Sequence, residues 1–109
     1  MKDGSVMVDG VVINTKIEDF IDYNTLEVEA GTTGYMGGGT KHGCRTYLRV
    51  VDRANSDMRV SKFQNGFSIM LGGDSELDTF LQALKFMVKT LEKDIVNNEV
   101  KSNGMDPLE

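Results

Sequence analysis

The sequence of 109 residues is poor in cysteine, histidine and positive charge, and each of these shortages excludes a class of protein. Its one cysteine, Cys44, forbids an internal disulfide and predicts a reducing compartment, for which we expect the cytoplasm. A single histidine beside a single cysteine cannot form a structural zinc site unaided. Seventeen acidic against twelve basic residues give a net charge of −5. This charge argues against a duplex DNA partner, because such binding requires an excess of lysine and arginine.

Long apolar segments are also missing. No run approaches the ~20 residues needed to cross a bilayer, so we expect no membrane association. The first residues, Met-Lys-Asp-Gly, lack the apolar stretch of a signal peptide. Hydrophobic residues make up 39% of the chain and charged residues 27%, as in soluble globular proteins. We predict a single domain over residues 1–96, followed by a flexible polar tail over residues 97–109.

Alternation of apolar and polar residues predicts an antiparallel sheet. Four segments alternate as half-buried strands do: 25–30, 45–51, 58–63 and 67–71. The last three are expected to form a meander, with the first strand alongside. The pairs Asp9-Gly10 and Asn65-Gly66 are signals for tight hairpin turns, because glycine tolerates positive φ. Residues 14–24 are also compatible with an irregular strand, but from the helical spacing of Ile17, Phe20 and Ile21 we predict a short helical turn or bridge.

A single C-terminal helix is predicted to begin at Asp74-Ser75 and to end near Asn97-Asn98. Its apolar residues recur at offsets of three, four and seven, which is the stripe of a helix laid on a sheet. The stripe consists of Leu77, Phe80, Leu81, Leu84, Val88, Leu91 and Ile95. The predicted fold class is therefore α+β, an antiparallel β-sheet meander packed by one C-terminal α-helix.

Phe86 lies about 180° from Leu77 on the helical wheel, on the face expected to meet solvent. One interpretation is that the N-terminal hairpin folds over it. The other, which we favour, is a homo-oligomer formed through the Phe86 face, because exposed apolar patches commonly become interfaces. A small domain gains stability by sharing a core with a second copy.

A glycine-rich loop joins two of the predicted strands. It runs from Gly31 to Gly43, and its thirteen residues hold six of the twelve glycines and the only histidine. Connections of this length in compact domains are usually functional or disordered. Because glycine leaves backbone N–H groups uncovered, such a loop is able to form a concave anion site.

Donor groups in and after this loop predict a small nucleotide-derived ligand. Arginine presents a planar fork to phosphate, and tyrosine offers a flat surface on which a base stacks. Arg45 and Arg49 would hold phosphate, with Tyr47 between them on the next strand. The candidate ligand-binding residues are Thr32, Thr33, Tyr35, Lys41, His42, Arg45, Tyr47 and Arg49.

A structural alternative for the same residues stays open. Glu27 and Glu29 lie on the outward face of the strand before the loop. If that strand pairs with strand 45–51, these carboxylates neutralise Arg45 and Arg49 across the ladder. The loop would then be only a flexible linker.

Motifs for catalysis fail on inspection. Residues 34–41 have the composition of a phosphate-binding P-loop, but the order is reversed and a strand follows instead of a helix. His42 and Cys44 would point apart in an extended segment, which disfavours a nucleophile pair. We therefore predict binding without catalysis, with no catalytic residue, no cofactor and no metal site.

The segments 31–38 and 42–49, followed by a sheet and a C-terminal helix, look like small proteins of phages and mobile elements. Over residues 25–95 the size and the order of elements resemble the Thoeris anti-defence sponge family. The resemblance implies a non-enzymatic oligomer that sequesters a cyclic ADP-ribose-like signal or a cyclic oligonucleotide. The alternative is a protein–protein interaction module that presents the glycine-rich loop to a host protein and inhibits it.

Overall fold

A computed structural model describes residues 1–38 and 43–103 of the chain. Its elements are β1 (Lys2–Val8), β2 (Val11–Ile21), β3 (Thr25–Thr32), a 3₁₀ turn (Tyr35–Gly37), β4 (Thr46–Ala54), β5 (Met58–Phe63), β6 (Gly66–Leu71) and α1 (Asp74–Asn103). Four strands form an antiparallel sheet in the order β1-β2-β3-β4, and β5 and β6 form a separate two-stranded sheet. The predicted α+β fold, a meander packed by one C-terminal helix, is confirmed.

The membership of the meander differs from the prediction. We expected β4, β5 and β6 to pair in series, but β5 pairs only with β6 among the described strands. Asn55 has a φ of 58°, which turns the chain away from the edge of β4. Alternation reports which residues share a face of a strand, but it does not report which strand lies beside it. The short helical turn or bridge predicted over 14–24 is wrong, because this segment continues β2 as far as Ile21.

The β1–β2 hairpin crosses the sheet near the end of β3. Its predicted turn is confirmed, with Asp9 and Gly10 at φ values of 52° and 79°. Beyond the paired segment β2 passes so close to Gly31 that a Cβ there would lie 2.3 Å from the carbonyl oxygen of Asn14. Only glycine permits this approach. The hairpin tip thereby reaches Arg45 at the start of β4.

Helix α1 packs, largely through small residues, on the face of the sheet to which Val28 and Ala30 of β3 belong. The core comprises Val28, Ala30, Ala83 and Met87, with Phe20, Val50 and Phe86 packed against it. Buried Asn24, in the turn after β2, fixes the start of the helix. It donates to Thr79 Oγ1 at 2.8 Å and accepts from Ser75 Oγ at 2.9 Å. Hydrogen bonds of this kind remove the cost of burying an amide.

The face of the helix that meets the sheet is not the one predicted. Leu77, Leu81, Leu84 and Val88, expected in the core, are 53%, 45%, 43% and 55% exposed. Phe86, expected at a solvent face, is half-buried and packs edge-on against Phe20 of β2, with ring centroids 5.7 Å apart. Periodicity shows that a helix has an apolar stripe, but it does not show which partner covers that stripe. Here the small side chains on the other face allow the helix to approach the sheet more closely.

The helix continues to Asn103, beyond the predicted end at residues 97–98. Asn98 does not terminate it, because its side-chain amide donates to the carbonyl oxygens of Asp94 and Thr32. Residues 104–109 of the predicted tail lie outside the described part of the chain. Within that part, no helix combines the length and the apolar character needed to cross a membrane.

Candidate functional site

The arginines of β4 lie on the sheet face opposite α1, and Arg49 is fully paired there. Strands β3 and β4 pair as the structural alternative required, with Glu29 directly opposite Arg49. Arg49 contacts Glu27 Oε1 at 2.9 Å and Glu29 Oε1 at 3.0 Å. Arg53, which the sequence analysis did not single out, contacts Glu27 Oε1 at 2.8 Å. Thr15 Oγ1 donates to the second carboxylate oxygen of Glu29.

Electrostatics agree with this pairing. Hydrogen bonds from Arg53 and then from Arg49 lower the pKa of Glu27 below its ordinary value. Burial alone would lower the pKa of Arg49, but its hydrogen bonds to Glu27 and Glu29 outweigh burial and raise that pKa. The guanidinium of Arg49 is therefore already paired with the carboxylates of Glu27 and Glu29, whereas the sequence predicted that it would bind the phosphate of a ligand.

Arg45 is paired differently from the expectation. Its partner is Asp9 at the tip of the β1–β2 hairpin, with Nε 2.9 Å from Oδ2, and not a glutamate of β3. The Asp9 side chain is 69% exposed, so this is a surface ion pair of small net energy. Arg45 lies one residue before β4, and a ligand that recruited it would displace this ion pair and the hydrogen bonds from Nη1 to the carbonyl oxygens of Gly43 and Cys44.

Thr32 and Thr33 hold the start of the glycine-rich loop in place. Both are buried, at 5% and 6% exposure. The Thr32 hydroxyl lies 2.8 Å from the Thr46 hydroxyl, and the Thr33 hydroxyl accepts a 3.0 Å hydrogen bond from the backbone N–H of Arg45. The backbone N–H of Thr32 donates to Asp94 of α1 at 3.2 Å. In this conformation the two hydroxyls bond within the protein.

The other predicted ligand residues are scattered. Tyr35 is 63% exposed on the 3₁₀ turn, whereas Tyr47 is half-buried in β4 opposite Gly31. Lys41 and His42 lie outside the described residues. Of the eight predicted residues, the six that the structure describes do not line one common cleft.

Cys44 lies at the foot of the loop and is exposed. Hydrogen bonds with the hydroxyls of Thr32 and Thr46 lower the pKa of its thiol, with a smaller contribution from the charge of Arg45. The thiol is thus not a buried part of the core.

A different cluster of positive charge lines a cleft of about 320 Å³ between β2 and the C-terminal half of α1. Phe86 forms its apolar floor. Lys16, Lys89 and Lys93 surround it, and Thr90 and Asn97 add polar groups. Lys89 and Lys93 are exposed and take part in none of the salt bridges between described residues. Lys16 pairs with the exposed Asp3.

One carboxylate lies at the edge of this cleft. Asp94 accepts the hydrogen bond from Thr32, so it connects the cleft to the start of the glycine-rich loop. Burial raises its pKa, although the Thr32 N–H and the charges of Lys16 and Lys93 oppose that shift. An anion bound in the cleft would raise the pKa of Asp94 further.

The sequence did not indicate this cleft, for an identifiable reason. Lys16 lies in the segment predicted as a short helical turn or bridge, and Lys89 and Lys93 share with Phe86 the helix face that was expected to meet solvent. Phe86 was the available signal. Lys89 and Lys93 lie three and seven residues after Phe86. Residues separated by three, four or seven positions lie on one side of an α-helix, so all three share a side of α1.

The described residues contain no cluster of three or more histidine, cysteine, aspartate or glutamate side chains arranged to hold a metal ion. Comparisons with protein-family models, with curated proteins and with solved structures return no match. The chemistry of the cleft is therefore inferred from its own residues.

Proposed function

We propose that this protein binds a small nucleotide-derived anion in the lysine cleft and releases it chemically unchanged. The observation that supports the proposal most directly is the charge of Lys89 and Lys93 around Phe86, which no described carboxylate pairs, in a chain of net charge −5. Ammonium groups attract phosphate, and the ring of Phe86 would offer a surface for a base. Thr90 and Asn97, which also line the cleft, would hydrogen-bond the sugar or base edge.

The dimensions of the cleft favour one kind of ligand. Ligand pockets commonly measure about 300–1,000 Å³, and this cleft of about 320 Å³ is at the lower end. We propose a ligand with a single base, such as a cyclic ADP-ribose-like molecule, over a cyclic oligonucleotide with two or more bases. Sequestration of such a signal in the cytoplasm, by a phage or mobile-element protein, is the biological role that the family resemblance suggests.

The test is calorimetric titration with ADP-ribose isomers, cyclic mononucleotides and cyclic dinucleotides. We expect an anion with a single base to bind. We also expect to recover it chemically intact after the complex is denatured. The variant Lys89→Gln/Lys93→Gln should weaken binding by at least about tenfold, because two ammonium contacts of about 1 kcal/mol each are lost.

Lys85→Gln is the matched control, since Lys85 is an exposed lysine of the same helix outside the cleft. Equal loss of affinity in the control would mean that only net charge matters. A new chromatographic species after incubation would contradict binding without turnover.

One observation favours the alternative, an inhibitor that presents the loop to a host protein. Tyr35 and Met36, neighbours on the 3₁₀ turn of the glycine-rich loop, are 63% and 88% exposed. Aromatic and methionine side chains are enriched in protein interfaces. Under this alternative, a pulldown that returns one dominant host protein would lose it with Tyr35→Ala/Met36→Ala, and the ligand titrations would be blank.

A further inference from the structure

A broad exposed apolar surface lies away from the lysine cleft, where α1 faces the β5–β6 hairpin. We call it the apolar face, and define it by six side chains that are 43–68% exposed: Val60, Phe67, Leu77, Leu81, Leu84 and Val88. A groove of about 390 Å³ separates the hairpin from the helix, with Leu84 on one wall and Val60 on the other. Monomeric proteins seldom expose a continuous patch of this kind without using it.

We propose that the apolar face is the interface of a two-fold symmetric dimer in which the α1 helices of two copies pack antiparallel. The proposal is independent of the ligand in the lysine cleft. Three features of the chain identify a second copy as the occupant: the spacing of the stripe, the isolation of the hairpin and the exposed area.

The spacing of the stripe is self-complementary. Apart from Phe80, which flanks it, the stripe from Leu77 to Ile95 has separations of 4, 3, 4, 3 and 4 positions, which is the heptad spacing of paired helices. If the two helices run antiparallel and the two-fold axis passes at the level of residue 86 along the helix, Leu84 lies opposite Val88 of the second copy. The same axis places residue 81 opposite residue 91, and residue 77 opposite residue 95. A second copy of this chain therefore presents a helix whose apolar spacing complements that of the first.

The β5–β6 hairpin supplies the second reason. It pairs with no other described strand, and a two-stranded sheet is only marginally stable by itself in water. Val60 and Ile69 are opposite each other on its inner face and are 54% and 38% exposed. A partner that covers this face from the time of folding is required, and a second copy is present whenever the chain is made.

The exposed area is of the right size. A large apolar side chain presents on the order of 150–200 Å² when free, so six at about half exposure present on the order of 500 Å². Neighbouring Leu48 and Ile69, and a polar rim that includes Lys85 and Glu92, extend this surface. Standard interfaces bury about 800 Å² on each partner, rim included. The stripe by itself spans under three heptads, so the hairpin is needed to complete the interface.

Sedimentation equilibrium of the purified chain at micromolar concentration tests the proposal. We expect twice the mass of one chain for the native protein. Val88→Asp should raise the dimer dissociation constant at least about 100-fold, because it buries two carboxylates in an apolar contact. Val96→Asp is the matched control, because Val96 is 58% exposed on the same helix but lies about 100° from the centre of the stripe. It should remain dimeric.

A cross-linking experiment tests the antiparallel register without relying on a destabilising variant. In a Cys44→Ser background, a mixture of Leu84→Cys and Val88→Cys chains should form disulfide dimers faster than either chain alone, and Val96→Cys should form none. A monomeric native chain, or a dimer that Val88→Asp leaves intact, would overturn the interface. Faster cross-linking of each variant with itself would overturn the antiparallel register.

Discussion

Two positively charged regions of this protein look alike in the sequence and differ in the structure. Arg49 and Arg53 contact the carboxylates of Glu27 and Glu29 on one face of the sheet. Lys89 and Lys93, on α1 at the other face, take part in no salt bridge with a described residue. A charge that is already paired stabilises the fold, whereas a lysine without such a partner beside an aromatic ring is available to a ligand. The comparison therefore favours a structural role for the arginines and supports the proposal that the lysines bind the ligand.

The largest effect should come from removing the paired charge. Arg49→Met leaves Glu29, which is 5% exposed, without its cation, and we expect a loss of about 2–3 kcal/mol in the free energy of unfolding. This is less than for a fully buried pair because the Arg49 side chain is 29% exposed. Urea unfolding measures it. Arg59→Met is the control, since Arg59 contacts an exposed aspartate, and a loss equal to that of Arg49→Met would contradict the structural role.

The second effect is the acid sensitivity of the same network. The pKa of Glu27 is lowered in the folded chain, so its contribution to stability is complete above its ordinary value of 4.5 and is lost as pH falls through the lowered pKa. Stability should therefore decline steeply below about pH 4.5. Glu27→Gln should flatten that part of the curve. Denaturation midpoints measured from pH 7 to pH 3 test this, and an unchanged slope in the variant would remove Glu27 from the explanation.

A smaller effect should appear in the lysine cleft. Asp94, whose pKa burial raises, repels a bound anion when it is ionised, so affinity should increase as pH falls towards that pKa. Asp94→Asn preserves an oxygen acceptor for the Thr32 N–H and should tighten binding about three- to tenfold at neutral pH. The variant should also lose the pH dependence. A weaker ligand complex with Asp94→Asn would mean that the carboxylate contacts the ligand directly.

The smallest expected effect concerns Arg45, and it distinguishes a ligand site in the lysine cleft from one at the glycine-rich loop. Arg45→Ala removes an exposed ion pair with Asp9 and should change stability by less than about 0.5 kcal/mol. Ligand affinity should stay the same if the lysine cleft is the site. A large loss of affinity would instead return the site to the arginine and loop residues predicted from the sequence.

Much of the fold could be predicted, because local signals coincide with it. The Asp9-Gly10 turn, strands β3 to β6 and the start of α1 follow from turn chemistry and from periodicity. The pairing of β5 and the orientation of α1 could not, since both depend on contacts between distant residues. The candidate site was less predictable still. Thr32 and Thr33 have the hydroxyls that a ligand site needs, yet the structure uses those hydroxyls to anchor the loop.

The sequence by itself determined that the chain is α+β, that its charge is mainly negative and that its helix has an apolar stripe. These are properties of composition and of local spacing, which do not depend on what each element packs against. Only the tertiary structure decided that the stripe faces outward, that Arg49 is paired and that Lys16 of β2 joins Lys89 and Lys93 around Phe86. The reason is physical: burial and charge pairing depend on which distant residues the fold brings within a few ångströms.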